Sequence, residues 1–313
     1  MSGELARLRR MMSPLEVGPG KPPSPPPGLP PGYIVRLEGR GETFVRHHEG
    51  PADAPVLLLL HGWTASADLQ WCNIYPTLCE RHSVIAIDHR GHGRGLRSEE
   101  EFTLEDCADD AAAAVRILVP GRKVIAVGYS MGGPITLHLW HRHRDLIAGV
   151  VLEATALEWQ TALEDRLRWR LLVLLERIVR SRRLHRWVAR YLREEVHTNP
   201  ELEAYVPWMM AEMRRTDPRA VVEAGHALRT YDARCFAPAM DVPAAMVITT
   251  DDHVVRPVKQ RALAAAVRAQ VFEIRADHDA TMAAARAFAR VTAEAVETVA
   301  GAVADSDSAL RLA

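Results

Sequence analysis

Short apolar runs alternate with amphipathic stretches along most of this chain. Val56-Leu57-Leu58-Leu59-Leu60, Ser83-Val84-Ile85-Ala86-Ile87, Val124-Ile125-Ala126-Val127 and Ala148-Gly149-Val150-Val151-Leu152 have almost no polar interruption, and neither does Ala244 to Thr250. Runs of this length without period-2 alternation predict strands buried on both faces. Val271-Phe272-Glu273-Ile274 is a further strand, and Tyr33 to Leu37 with Thr43 to His47 alternates like a hairpin. Thr103 to Leu118 has helical periodicity, with Thr103 as N-cap and Asp106 three residues on. The last helix, rich in alanine, is expected from about Thr281 to Val299. Strand after helix after strand predicts an α/β fold with a mostly parallel central sheet and helices on both faces.

The alternation stops between Thr155 and about Phe236. That stretch reads as helical and falls between two sheet strands. It carries Trp159, Trp169, Trp187, Tyr205, Trp208, Met209, Met210 and Met213. Such side chains suit a broad apolar pocket, although large apolar residues are mostly buried for stability alone. It also carries ten arginines between Arg166 and Arg193, interleaved with Leu171 to Leu175 and Trp187. A basic amphipathic helix can make weak contact with an anionic membrane surface. The favoured reading is a solvated face paired with Glu164, Asp165, Glu176, Glu194 and Glu195.

The chemistry is concentrated at strand ends. Gly128-Tyr129-Ser130-Met131-Gly132 follows the strand at Val124 and opens a helix-like stretch. A G-x-S-x-G sequence in that setting places its serine on a sharp turn with the hydroxyl exposed. A β-carbon on either glycine would collide with neighbouring backbone. A serine hydroxyl needs a base, and the base needs an orienting acid. Asp251-Asp252-His253 follows the strand at Ala244, and Ala276-Asp277-His278 follows the strand at Val271. The fold in which this turn occurs is expected to carry the order serine, acid, histidine, and these residues follow it. Backbone N–H groups of Met131 and of Trp63, in the loop His61-Gly62-Trp63, are the expected oxyanion donors.

On these residues the sequence resembles an α/β-hydrolase of the serine esterase/lipase type. The resemblance rests on His61-Gly62-Trp63, Asp88-His89-Arg90-Gly91-His92-Gly93, Gly128 to Gly133, Asp252-His253-Val254-Val255 and His278, and runs over roughly residues 33 to 300. It implies Ser130 as nucleophile, Asp252 as acid and His278 as base. Arg256 before Pro257 departs from the family pattern by one residue and leaves Asp251 as an alternative acid. It also implies that residues 155–235 form a helical cap or lid on a core of 33–154 and 236–300. The expected reaction is hydrolysis of a carboxylic ester through an acyl-enzyme, with no metal and no organic cofactor. Carbon–carbon hydrolysis of vinylogous diketones, acyl transfer, and a catalytically weak ligand-binding receptor are the alternatives. Serine at the nucleophile position argues against the dehalogenase and epoxide hydrolase branches, where the resemblance implies aspartate.

Composition narrows the setting. A net charge of −1 gives no argument for nucleic acid. Cys72, Cys79, Cys107 and Cys235 show neither pairing nor metal spacing and read as reduced thiols in the cytoplasm. Residues 1–32 hold no secretory core and end in a Pro/Gly-rich run, which predicts a disordered leader, and 301–313 reads as a flexible tail. His138, His141 and His143 have no acid or cysteine at ligand spacing. The loop of His89 and His92 is expected to be structural, His61 to shape the oxyanion loop, and Glu153 to be a minor alternative acid. The small-molecule partner is expected to be an ester, and no pattern specifies an oligomeric state.

Overall fold

The computed structural model describes residues 23–159 and 204–312. Eight strands form one sheet: β1 Gly32–Leu37, β2 Gly41–His48, β3 Val56–Leu60, β4 Ser83–Ile87, β5 Val124–Tyr129, β6 Ile147–Glu153, β7 Ala244–Thr249 and β8 Gln270–Ile274. Their order is β1-β2-β4-β3-β5-β6-β7-β8. The β1–β2 and β2–β4 pairs are antiparallel, and every pair from β4 onward is parallel. The helices are α1 Ala67–Trp71, α2 Tyr75–Cys79, α3 Leu104–Leu118, α4 Gly132–Arg142, α5 Val206–Met213, α6 Pro218–Thr230, α7 Pro257–Ala266, α8 Ala280–Ala283 and α9 Ala285–Leu312.

The uninterrupted apolar strands follow from burial on two faces. In β3, Val56, Leu58 and Leu60 join a core with α3 and α4. Leu57 and Leu59 point the other way, into a core with Trp71, Tyr75, Phe288 and Val299. Because successive strand residues alternate faces, both sets must be apolar. Each fully buried leucine contributes about 1.5–3 kcal/mol. The N-cap at Thr103 forms as expected: its hydroxyl oxygen accepts the Asp106 N–H at 3.0 Å.

Two elements differ from expectation. The last helix is broken at Ala284. The Thr281 carbonyl, which a continuous helix would give to residue 285, accepts the Asn73 side-chain amide at 3.1 Å. An alanine run carries no local mark of this, because the partner lies 208 residues away. At the other end, α9 runs on to Leu312, past the expected end near Val299. Gly301 is accommodated inside it at the usual cost of about 1 kcal/mol against alanine.

The insertion between β6 and β7 leaves and returns at one place. Glu158 bridges to Asp232, and the Ala233 N–H donates to the Leu157 carbonyl at 2.9 Å. Its described part is helical, in α5 and α6. Trp208 and Met209 pack with Leu69 and Cys72, against α1. The arginine run, Trp169 and Trp187 lie outside the described residues, as does most of the expected leader. Among the described residues, no helix is long and apolar enough to cross a membrane.

Candidate active site

The turn after β5 is built as the glycine spacing requires. Ser130 has φ +52°, a left-handed conformation that costs a non-glycine residue of order 1–3 kcal/mol and persists only when its surroundings enforce it. Here its N–H donates to the Glu153 carbonyl at 2.9 Å, and its carbonyl accepts the Gly133 N–H at 2.9 Å. A Cβ at Gly132 would sit 2.0 Å from the Leu60 carbonyl oxygen, and one at Gly128 would sit 2.3 Å from that of Gly132.

Three strand ends converge on this turn. His278 Nε2 lies 2.9 Å from Ser130 Oγ, and His278 Nδ1 lies 2.8 Å from Asp252 Oδ2. Asp252 is buried, yet each of its oxygens is occupied. Oδ1 accepts the N–H groups of Val254 and Val255 at 2.8 and 2.7 Å. Oδ2 accepts the Thr249 hydroxyl at 2.7 Å and the Gln260 amide at 3.1 Å. Asp251 points away: its carboxylate lies 3.3 Å from Arg275 Nε at the surface. Of the two candidate acids, only Asp252 meets the histidine. Tyr129, beside the serine, donates its hydroxyl to the His278 carbonyl at 2.7 Å. The same short turn thus orients the serine and fixes the backbone of the histidine.

Glu153, the third acid considered, is fully buried and accepts the Thr292 hydroxyl at 2.7 Å on the opposite layer. Burial pushes its carboxyl up to about 8, and the Thr292 hydroxyl offsets this only in part. Below pH 4.5 folded and unfolded chains both hold this proton. As pH rises from 4.5 through about 8 the unfolded carboxyl ionises while the folded one resists, so stability falls across that window and levels off above it. The loss reaches roughly 3–5 kcal/mol. Urea unfolding at pH 5 and pH 9 should show Glu153→Gln losing much less stability than wild type between the two. Equal losses would mean that Glu153 is already ionised in the fold.

The loop after β3 is held by histidines. His61 Nδ1 donates to the Gly62 carbonyl at 2.8 Å, and its Nε2 accepts the His89 backbone N–H at 3.0 Å. One nitrogen donates and the other accepts, so the ring is neutral. Burial, with His89 and His92 close by, holds it well below the ordinary imidazole range. Burial takes His89 itself down to about 3 and His92 to about 4. In a trans peptide the Trp63 N–H points opposite to the Gly62 carbonyl, so His61 sets the direction of that N–H. The Trp63 ring donates its Nε1–H to the Val221 carbonyl at 2.8 Å, which ties α6 to the same loop. The loop after β4 has a structural part: Asp88 accepts the N–H groups of Ala67 and Arg94 at 2.7 and 2.8 Å. Met131 follows Ser130 and precedes the first residue of α4.

The remaining candidates fall elsewhere. His138 and His141 pack on Phe236, and His143 Nε2 lies 2.8 Å from Asp109. Among the described residues, no three histidine, cysteine or acidic side chains gather as metal ligands. His253 pairs with Asp277 at 2.8 Å, away from the serine. All four cysteines are free thiols. Sequence reasoning missed Tyr129, Thr249 and Gln260, which position the groups above rather than carry motif chemistry.

Comparison with known proteins agrees with this architecture. A bifunctional esterase/perhydrolase of Acinetobacter calcoaceticus is 38% identical over 123 residues, covering 39% of this chain and 43% of that protein. A 2-hydroxy-6-oxo-6-(2'-aminophenyl)hexa-2,4-dienoic acid hydrolase of Metapseudomonas resinovorans is 30% identical over 126 residues, 40% of this chain and 43% of that protein. The chain thus spans less than half the length of these curated relatives. The enol-lactonase of Burkholderia xenovorans superposes with a TM-score of 0.70 at 22% identity, covering 85% of this chain and all of the other, a likeness of fold. A family model described as alpha/beta hydrolase fold matches residues 55–283, and with the sheet order and the turn at Ser130 this shows that the chain belongs to the α/β-hydrolase family.

Proposed function

We propose that the protein is a serine hydrolase that cleaves a carboxylic ester through an acyl-enzyme. The observation that carries this reading is the unbroken series Ser130 Oγ, His278 Nε2, His278 Nδ1, Asp252 Oδ2, with contacts of 2.9 and 2.8 Å. His278 takes the Ser130 proton as Oγ attacks the ester carbonyl carbon. The N–H groups of Trp63 and Met131 receive the oxyanion, a contribution of about 3 kcal/mol each in acyl transfer. His278 then returns the proton to the leaving alcohol. Water, deprotonated by the same histidine, attacks the acyl carbon; the bond to Ser130 Oγ breaks, Oγ takes the proton back from His278, and the acid is released. Asp252 holds the imidazole tautomer and stabilises its protonated form. No step requires a metal or organic cofactor.

An apolar acyl or alcohol part fits the surroundings. Leu69, Trp208 and Met209 cluster with Met213 and Met282, and Met282 is four residues beyond His278. The free thiols fit a reducing cytoplasm. Hydrolysis of p-nitrophenyl esters from acetyl to palmitoyl tests the reading: turnover should peak at an intermediate or long chain. The likeness to a dienoic acid hydrolase supports a second reading, carbon–carbon cleavage by the same three residues. Turnover of a vinylogous diketone panel with none on any ester would select it.

A further inference from the structure

Gln70 stands at the junction of two loops that acyl transfer must keep in register. It lies in α1 and is buried. Its Oε1 accepts the Gly62 N–H at 3.3 Å, in the loop that ends in Trp63. Its Nε2 donates to Thr281 Oγ1 at 3.2 Å, in α8, three residues past His278. Asn73, one turn on, donates to the Thr281 carbonyl at 3.1 Å and reinforces the same attachment. The helix that carries Gln70 is itself fixed. The Ser66 hydroxyl oxygen accepts the Leu69 N–H, and Asp88 accepts the Ala67 N–H.

We infer that Gln70 is a positioning residue that couples the oxyanion loop to the histidine loop. The inference rests on the serine hydrolase reading above. The Gly62 peptide units are held from two sides: His61 holds the carbonyl, and Gln70 holds the N–H. A primary amide suits the junction because it accepts on one side and donates on the other without adding charge. Removing it leaves the Gly62 N–H buried without its acceptor and lets the loop turn. A donor that is misdirected loses its worth in the transition state while ground-state binding is little changed. Gln70 touches no reacting atom, so its effect runs through geometry alone.

The test is the rate of Ser130 modification by a fluorophosphonate as a function of probe concentration. This separates the maximal rate from the half-saturating concentration. Gln70→Met keeps the side-chain length and removes both hydrogen bonds. It should lower the maximal rate about 10- to 100-fold, because a misdirected donor forfeits part of the roughly 100- to 1000-fold that its outright loss costs, with the half-saturating concentration within about 2-fold of wild type. Thr281→Val should lower it in the same direction, Thr281→Ser should restore it, and Gln70→Met with Thr281→Val should cost little more than Gln70→Met alone. The Thr281 pair keeps the test open if Gln70→Met does not fold. A wild-type rate in Gln70→Met, or an effect confined to the half-saturating concentration, would overturn the coupling. Wild-type protein that is not modified at Ser130 at all would instead bring down the serine hydrolase reading, and the coupling with it.

Discussion

Ser130→Ala should lower kcat for the best p-nitrophenyl ester by about 10⁵- to 10⁶-fold and leave the fold intact. The size follows from cooperation: without Oγ, His278 has no proton to take and Asp252 no imidazolium to stabilise, so the three groups fail together. The residual rate would come from the oxyanion donors and from binding. Alanine is well suited to the experiment because the Ser130 backbone bonds to Glu153 and Gly133 do not involve the side chain. The left-handed φ of +52° strains serine and alanine alike, so stability is expected to change little. A loss of less than about 10-fold would place the nucleophile elsewhere.

The second large effect is at Asp252, and its cause can be read from the hydrogen bonds. Oδ1 accepts two backbone N–H groups, so an asparagine here would keep its carbonyl oxygen in that position. Its NH₂ would then face His278 Nδ1, where Oδ2 now lies. A donor there forces Nδ1 to accept, and the ring proton moves to Nε2. Nε2 then cannot take the Ser130 proton. Asp252→Asn should therefore cost about 10⁴-fold in kcat with a KM near that of wild type. Asp251→Asn, whose carboxylate meets Arg275 at the surface, should stay within about 2-fold. Measuring both variants on one substrate separates the two acids. A larger loss at Asp251 than at Asp252 would reverse the assignment.

What the sequence could disclose depended on range. The strands at Val56–Leu60 and Ser83–Ile87 were legible to the residue, because burial on both faces leaves an apolar run with sharp ends. Ser130 was legible because its turn needs glycines at fixed offsets. Asp251 and Asp252 were not separable by pattern: adjacent residues leaving a strand differ only in how the turn rotates them, and Thr249 and Gln260 decide that. Gln70 was illegible for a similar reason. No motif surrounds this glutamine, and its partner Thr281 is 211 residues away. The break at Ala284 shares that origin, since Asn73 takes the carbonyl that an uninterrupted helix would use.

Glu153 shows the limit of strand-end reasoning. It sits at the end of β6 beside the serine, which made it a candidate acid. The alternation of the strand sends its side chain to Thr292 in the layer of α9, so it meets that helix rather than His278.

In the proposed mechanism Ser130 carries the covalent intermediate. The most direct measurement is intact-mass analysis of the wild-type protein after brief exposure to a fluorophosphonate, followed by mapping of the modified peptide. One adduct is expected, on the peptide containing Ser130, with complete loss of ester turnover in step with it and no adduct in Ser130→Ala. An adduct on another residue, or undiminished turnover with Ser130 fully modified, would contradict the mechanism.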